Sequence, residues 1–227
     1  MISLFKKMAS RLPAGLRESL QKHWHTLRYR SGRFVHNEPE FALLNGWVSA
    51  GDWVLDVGAN IGIFSARLSE LVKENGRVLA FEPVPATFRL LVHNSRLFPY
   101  ANVTALNFAL SGTPALIGMS IPATSTGLPA LARASLVDSG GQMQVLCLPF
   151  GETPLPHAVR FIKIDVEGHE AQVLKGIWPI IERDRPRLLI EGFDEAIHDS
   201  LRPLGYQRQL IEGSPNAIFH PHGDNHR

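Results

Sequence analysis

The run Ile162-Lys163-Ile164-Asp165-Val166-Glu167-Gly168-His169-Glu170 begins apolar and ends in ionisable side chains, the pattern of a buried strand delivering polar groups to a site. His169 is the natural proton acceptor near neutral pH. A hydroxyl nucleophile attacks well only as its proton leaves, so such a base has obvious work to do. Asp165 or Glu167 can orient His169, act as the base, or hold a cationic group. Plainer roles compete: Asp165 as a helix cap, and Glu167 and Glu170 as complements to a helix's positive end. Glu170 is assigned that plainer role. Asp165, Glu167 and His169 could hold a metal in principle, but no second dense ligand cluster supports one, and no metal is expected.

A second constellation lies upstream. Asp56-Val57-Gly58-Ala59-Asn60-Ile61-Gly62 follows a short apolar run and opens into an amphipathic stretch. Glycines there allow a ligand to approach the backbone, and a helix N-terminus offers amide donors to an anion. Glu82 ends the next apolar run, where a carboxylate can accept from both hydroxyls of a ribose. The layout suits an adenosine-bearing cofactor. A dinucleotide favours G-x-G-x-x-G, but Asn60 stands at the second glycine position and no third glycine follows in place. S-adenosylmethionine lacks a phosphate and offers an ammonium group for carboxylates such as Asp56, so it is the expected cofactor.

The alternative of an NAD-dependent oxidoreductase would want a Tyr-Lys or His-Asp catalytic set. Tyr29, Tyr100 and Tyr206 are the tyrosines, and none has a lysine one helical turn downstream. A non-catalytic adenosylmethionine-binding module would keep Gly58 and Glu82 without needing Asp165, Glu167 and His169.

These residues need a frame to hold them. Residues 1–50 read as helical, with Leu16, Leu20, Trp24 and Leu27 at helical spacing. From Trp53 onward, strands alternate with helices: strands at 53–57, 77–81, 103–107, 161–165 and 187–191, helices at 63–73, 86–97, 169–175 and 195–201. Gly176 is expected to close the helix that follows the Asp165 cluster. Residues 111–141, rich in Gly, Pro, Ser and Thr, read as irregular or hairpin structure. Two last strands, at 206–211 and 217–220, flank a hairpin-like turn. The expected fold is α/β, a mostly parallel sheet covered on both faces, with an antiparallel edge element. In that topology the fourth parallel strand lies beside the first, opening Asp165 into the same crevice as Gly58.

Composition agrees with such a domain. The chain has 227 residues, is 44% hydrophobic and carries a formal net charge of +2, which gives no case for nucleic acid as a partner. Its single cysteine, Cys147, cannot close an intramolecular disulfide, and a cytoplasmic setting is the default expectation. No apolar run suits a membrane span, and the first residues lack a signal-peptide h-region. Residues 1–35 are set apart as a basic helical extension from a domain over 36–227. Lys6, Lys7, Arg11, Arg17, Lys22, Arg28, Arg30 and Arg33 meet Glu18 alone there. That reads first as a solvated helical lead-in, the stripe being short and interrupted by Pro13 and Gly15, and second as a patch for peripheral membrane contact or an acidic partner.

The chain resembles the FkbM family of methyltransferases in three stretches: 51–62, Ala80-Phe81-Glu82-Pro83-Val84-Pro85, and 161–170. Smaller echoes are Asn94, Ala109-Leu110-Ser111, and Arg185-Pro186 before Glu191-Gly192. The resemblance implies a class I, Rossmann-like methyltransferase fold with a seven-stranded sheet. It implies adenosylmethionine as donor and transfer to a hydroxyl of a sugar, glycan or polyketide-like acceptor. Carried over by position, Gly58, Asn60 and Gly62 hold the methionine end, Glu82 the ribose, and Asn107 lies near the adenine. Glu38, in Asn37-Glu38-Pro39-Glu40, matches an acidic motif that closes over the donor. Family members commonly carry a Leu-Asp pair before the fourth strand, where this chain reads Cys147-Leu148-Pro149-Phe150-Gly151-Glu152. The acceptor side is therefore expected to differ, with 111–141 contacting the acceptor.

Overall fold

A computed structural model describes residues 13–36, 38–124, 130–137, 140–192 and 194–222. Lys6, Lys7 and Arg11 of the basic extension lie outside the described residues, as do 125–129 and 138–139 of the variable stretch. In chain order the elements are α1 (Ala14–Arg30), α2 (Pro39–Leu43), β1 (Trp53–Val57), α3 (Ile63–Val72), β2 (Arg77–Phe81), α4 (Pro85–Ser95), β3 (Val103–Leu106), β4 (Ala109–Leu110), β5 (Ala115–Ser120), β6 (Ser135–Val137), β7 (Met143–Leu148), β8 (Val159–Ile164), α5 (Glu170–Asp184), β9 (Arg187–Ile190), α6 (Glu195–Leu201), β10 (Tyr206–Leu210) and β11 (Ala217–Pro221).

The main sheet has seven strands in the order β10-β11-β9-β8-β1-β2-β3. Strands β3, β2, β1, β8 and β9 run parallel, and β11 pairs antiparallel with both β9 and β10. The chain runs outward from β1 through β2 to β3, then returns to β1's other side with β8. That reversal opens a crevice at the carboxyl ends of β1 and β8, where open α/β sheets bind ligands.

Side-chain alternation divides the core between the two faces. Leu55, Val57, Leu79, Phe81, Ile162 and Ile164 pack with Ile177 and Ile181 of α5. Val54, Val78, Ala80, Phe161 and Leu189 pack with Phe64, Leu68 and Val72 of α3. Period-two alternation puts Asp56 on the α3 face with Val54, and it is fully buried there. An acid at such a position must be paired to be tolerated, so the fold already marks Asp56 as constrained.

One expectation is corrected. Helix α5 does not stop at Gly176 but runs to Asp184 through Gly176 and Pro179. Gly176 serves as a packing contact: a Cβ there would meet the Ser111 carbonyl oxygen at 2.2 Å. Its carbonyl accepts from the amides of Phe150 and Gly151 at 2.9 and 2.8 Å, tying the loop after β7 to the helix. In the stretch 111–141, read as irregular or hairpin structure, the described residues include paired strands. Strands β5 and β6 form an antiparallel pair within a second sheet of order β4-β7-β5-β6. Val84, Met119, Val145 and Cys147 give this sheet its own small core. Short strands with mixed polarity carry little periodic signal, which is why the sheet escapes a reading from sequence.

Candidate active site

The turn after β1 is fixed by the neighbouring strand ends. Gly58 and Ala59 donate their amides to the Phe81 carbonyl at 3.0 and 2.9 Å. The Asn60 amide donates to Glu82 Oε2 at 3.0 Å, and the Ile61 amide to the Asn60 side chain at 2.8 Å. Gly62 donates to the Ala59 carbonyl at 2.9 Å and begins α3 in the left-handed region, at φ 89°. These five amides of the turn are thus engaged within the protein. Gly58 is required twice over: its φ is +76°, and a Cβ there would lie 1.8 Å from the Asp165 carbonyl oxygen.

Glu82 holds two of these contacts together. Its Oε1 accepts from the Val84 amide at 2.8 Å while Oε2 takes the Asn60 amide. Burial pushes its pKa up to about 7 despite both hydrogen bonds. Asn107 is exposed and donates to the carbonyls of Glu82 and Pro83 at 2.8 and 3.1 Å. It holds the acidic loop in place from the rim.

On the other side of the turn, carboxyl groups gather around one buried ammonium. Lys163 Nζ donates to Asp165 Oδ2 at 2.9 Å and lies 3.8 Å from Asp56 Oδ1. It also sits 4.9 Å above the Phe64 ring, a cation–π contact. Asp56 Oδ2 accepts from Ser65 of α3 at 2.6 Å, whereas Oδ1 is buried with no hydrogen-bond partner. Burial alone would raise Asp165, but the Lys163 ammonium and a hydrogen bond from Glu191 hold it down at about 2. Glu191 is correspondingly raised to about 8 by that hydrogen bond and by burial, making it the protonated partner. Glu38 approaches from the N-terminal segment, paired with His36 at 3.1 Å. Burial and the neighbouring carboxylates of Glu40 and Asp165 raise Glu38 to about 7.

The crevice itself encloses about 670 Å³, including the part open to solvent, and Gly58, Asn60, Glu82, Asp165, Glu167 and His169 line it. The second sheet supplies an apolar wall through Met119 and Leu136, extended by Leu131 in the turn before β6. His169 Nε2 lies 3.1 Å from the hydroxyl of Ser111, a buried residue just after β4. Glu167 is exposed and takes a positive φ of 53°, unusual for a residue with a side chain. Burial and the Asp165 charge raise its pKa, and the Arg133 charge lowers it. Glu170 accepts the Gly168 amide at 3.0 Å at the start of α5, in keeping with its plainer role.

The structure therefore brings most of the candidates to one crevice. Asp56 is buried behind it, linked to Asp165 through Lys163, Gly62 starts the helix behind it, and Glu38 and Asn107 stand outside its lining. Lys163, Glu191, Ser111 and Arg133 were not among the sequence candidates. For Glu191 a signal existed: it ends the strand beside β8, and its amide donates to the Ile164 carbonyl at 2.9 Å. Lys163 was visible as a lysine inside an apolar strand, a placement that demands a partner. Ser111 and Arg133 had no local signal, because they sit on connections of the second sheet, after β4 and before β6, whose pairing leaves no pattern in the sequence.

A family model described as the methyltransferase FkbM domain matches residues 56–207. Over 131 residues the chain is 34% identical to hexuronic acid methyltransferase AglP of Haloferax volcanii, covering 56% of this chain and 50% of that protein. It is 28% identical over 186 residues to methyltransferase 1 of Beauveria bassiana, covering 73% of this chain and 72% of that one. The crystal structure of methyltransferase FkbM from Methylobacillus flagellatus shares the fold, with a TM-score of 0.55 at 19% identity over 96% of this chain. The chain spans 58% of that structure and half of the Haloferax relative.

Proposed function

The chain belongs to the FkbM methyltransferase family and has the class I methyltransferase fold; from that premise we propose that it transfers a methyl group from S-adenosylmethionine to a hydroxyl oxygen of a sugar, glycan or related acceptor. The observation that carries this reading is the charge balance of the crevice. Glu82, Asp165 and Glu167 line it, and the buried Lys163 behind Asp165 is met by Asp56 as well, while the turn's amides from Gly58 to Gly62 are engaged within the protein. Such a site favours a cationic ligand over a pyrophosphate, which supports adenosylmethionine over a dinucleotide.

The residues present fit that cofactor. Asp165 and Glu38 supply negative charge for its ammonium end, with the buried Asp56 behind them paired to Lys163, and the backbone of Gly58, Asn60 and Gly62 shapes the space beside them. Glu82 has lone pairs left on both carboxylate oxygens for ribose hydroxyls, and Asn107 keeps the loop that carries it in register. When bound, the cofactor supplies an electrophilic methyl on a sulfonium. His169 removes the proton of the acceptor hydroxyl, and Ser111 holds its ring in the crevice. Glu167 and Arg133 flank the acceptor side, where their opposite charges can orient a polar acceptor. The Haloferax relative is named for hexuronic acid, which supports a sugar-like acceptor.

The test is transfer of isotopically labelled methyl from adenosylmethionine to a panel of neutral and uronic-acid-containing glycans. A base-stable methyl ether is the expected product. A base-labile methyl ester would move the transfer from hydroxyl to carboxylate and overturn that part of the reading.

A further inference from the structure

Helix α1 is amphipathic in an unusual sense: its polar side faces the protein and its apolar side faces outward. Toward the body, Glu18 accepts from Arg89 of α4 at 2.7 Å, and Thr26 meets His93 at 3.0 Å. His25 is buried on the same side, edge-on to Phe34, and Tyr29 stacks on Phe98 with centroids 5.7 Å apart. On the opposite side Leu16, Leu20, Trp24 and Leu27 are 49%, 47%, 60% and 50% exposed. At about 100° per residue these four positions fall within about 80° of arc, forming one continuous stripe.

The flanks of that stripe are basic. By the same helical geometry Arg17 and Arg28 border one side, and His23 and Arg30 the other. Glu18 is the acidic residue of this segment, and its carboxylate is already shared between Lys22 and Arg89. An exposed apolar stripe with a tryptophan, bordered on both sides by cations, is the pattern of a helix lying in the headgroup region of a bilayer. Among the described residues no helix is long and apolar enough to cross a membrane, so the geometry is that of a surface contact.

We propose that the outward face of α1 docks the protein on an anionic lipid surface, with Leu16, Leu20, Trp24 and Leu27 inserted among the headgroups and the flanking arginines on lipid phosphates. Charge complementarity selects this occupant over others. A second copy would set like-charged flanks against each other, and the residues preceding Pro13 add Lys6, Lys7 and Arg11, the same sign as the flanks.

Flotation of the full chain with vesicles tests this directly. Vesicles of phosphatidylglycerol mixed with phosphatidylcholine should bind at least about tenfold more protein than phosphatidylcholine alone, and salt should weaken the binding. The double variant Leu20→Glu/Trp24→Glu should abolish flotation. Arg17→Glu/Arg30→Glu should weaken it by about tenfold or more while leaving the circular dichroism spectrum and melting transition intact. Failure of the native chain to float at low salt would overturn the proposal, as would flotation that both variants retain. Sedimentation showing a dimer that Leu20→Glu/Trp24→Glu splits, with no vesicle binding, would assign the face to a second copy instead.

Discussion

Glu82 closes two hydrogen bonds within the protein, to the amides of Asn60 and Val84, and is still held near neutrality in its titration. Glu38, at the opposite margin, is raised to about the same value, and Glu191 to about 8. A cationic ligand favours the ionised form of each, so adenosylmethionine should bind more tightly as pH rises from about 6 to 8. The gain should reach about tenfold per pH unit for each proton released. Titration calorimetry in buffers of differing ionisation enthalpy should register that release; pH-independent affinity would mean that these carboxyls do not face the ligand's charge. At the acceptor side, His169→Ala should lower kcat by about two to four orders of magnitude with cofactor affinity unchanged. Ser111→Ala should produce a smaller loss of the same kind, and equal losses of affinity and kcat would mark both residues as structural. Asp56, Gly58, Glu82 and Asp165 were legible in the sequence because each lies in the last two residues of an apolar strand or directly follows one. Glu191 and Lys163 carried local signals, a strand-end acid and a lysine inside an apolar strand, but naming their partners needed the strand order, which sets them across the sheet from Asp165 and Asp56.

Among the elements, α5 carries the clearest test of how the two sheets are joined. Gly176→Ala would drive a methyl group into the Ser111 backbone, so it should cost about 1–3 kcal/mol of stability by denaturant unfolding. Because Ser111 also contacts His169, the variant should lose activity beyond its loss of stability; unchanged stability would show that the contact yields freely. The strands and helices from Trp53 to Phe81 could be read almost to the residue, since each strand is a short apolar run bounded by a turn. The same local rules failed at Gly176, where a helix tolerates glycine and then Pro179 because a neighbouring backbone packs against it. They failed again in the second sheet, whose strand β6 is three residues long and whose Leu116 and Leu146 are exposed. A pattern set by tertiary pairing alone leaves no periodicity to read.

At the scale of the molecule, the raised carboxyls set a pH trend in stability. Glu82 and Glu191 hold protons in the folded chain at pH values where the unfolded chain, with ordinary values near 4.5, has lost them. Their contribution is fully present below about 4.5 and is lost as pH rises through about 7 and 8. Asp165, depressed to about 2, opposes this only below its ordinary 3.8. The protein should therefore melt at a lower temperature at pH 8 than at pH 6, and a melting temperature that rises over this interval would contradict these assignments. Saturating adenosylmethionine should recover stability by mass action, about 2.7 kcal/mol at a hundredfold excess over Kd. The most direct measurement is calorimetric titration with adenosylmethionine, adenosylhomocysteine and NAD, on the native protein and on Glu82→Ala. Saturable binding of the first two, weakened about ten- to a hundredfold or more by the substitution, with no binding of NAD, is the predicted result. Binding of NAD in preference to adenosylmethionine, or adenosylmethionine affinity indifferent to Glu82, would contradict the cofactor site described above.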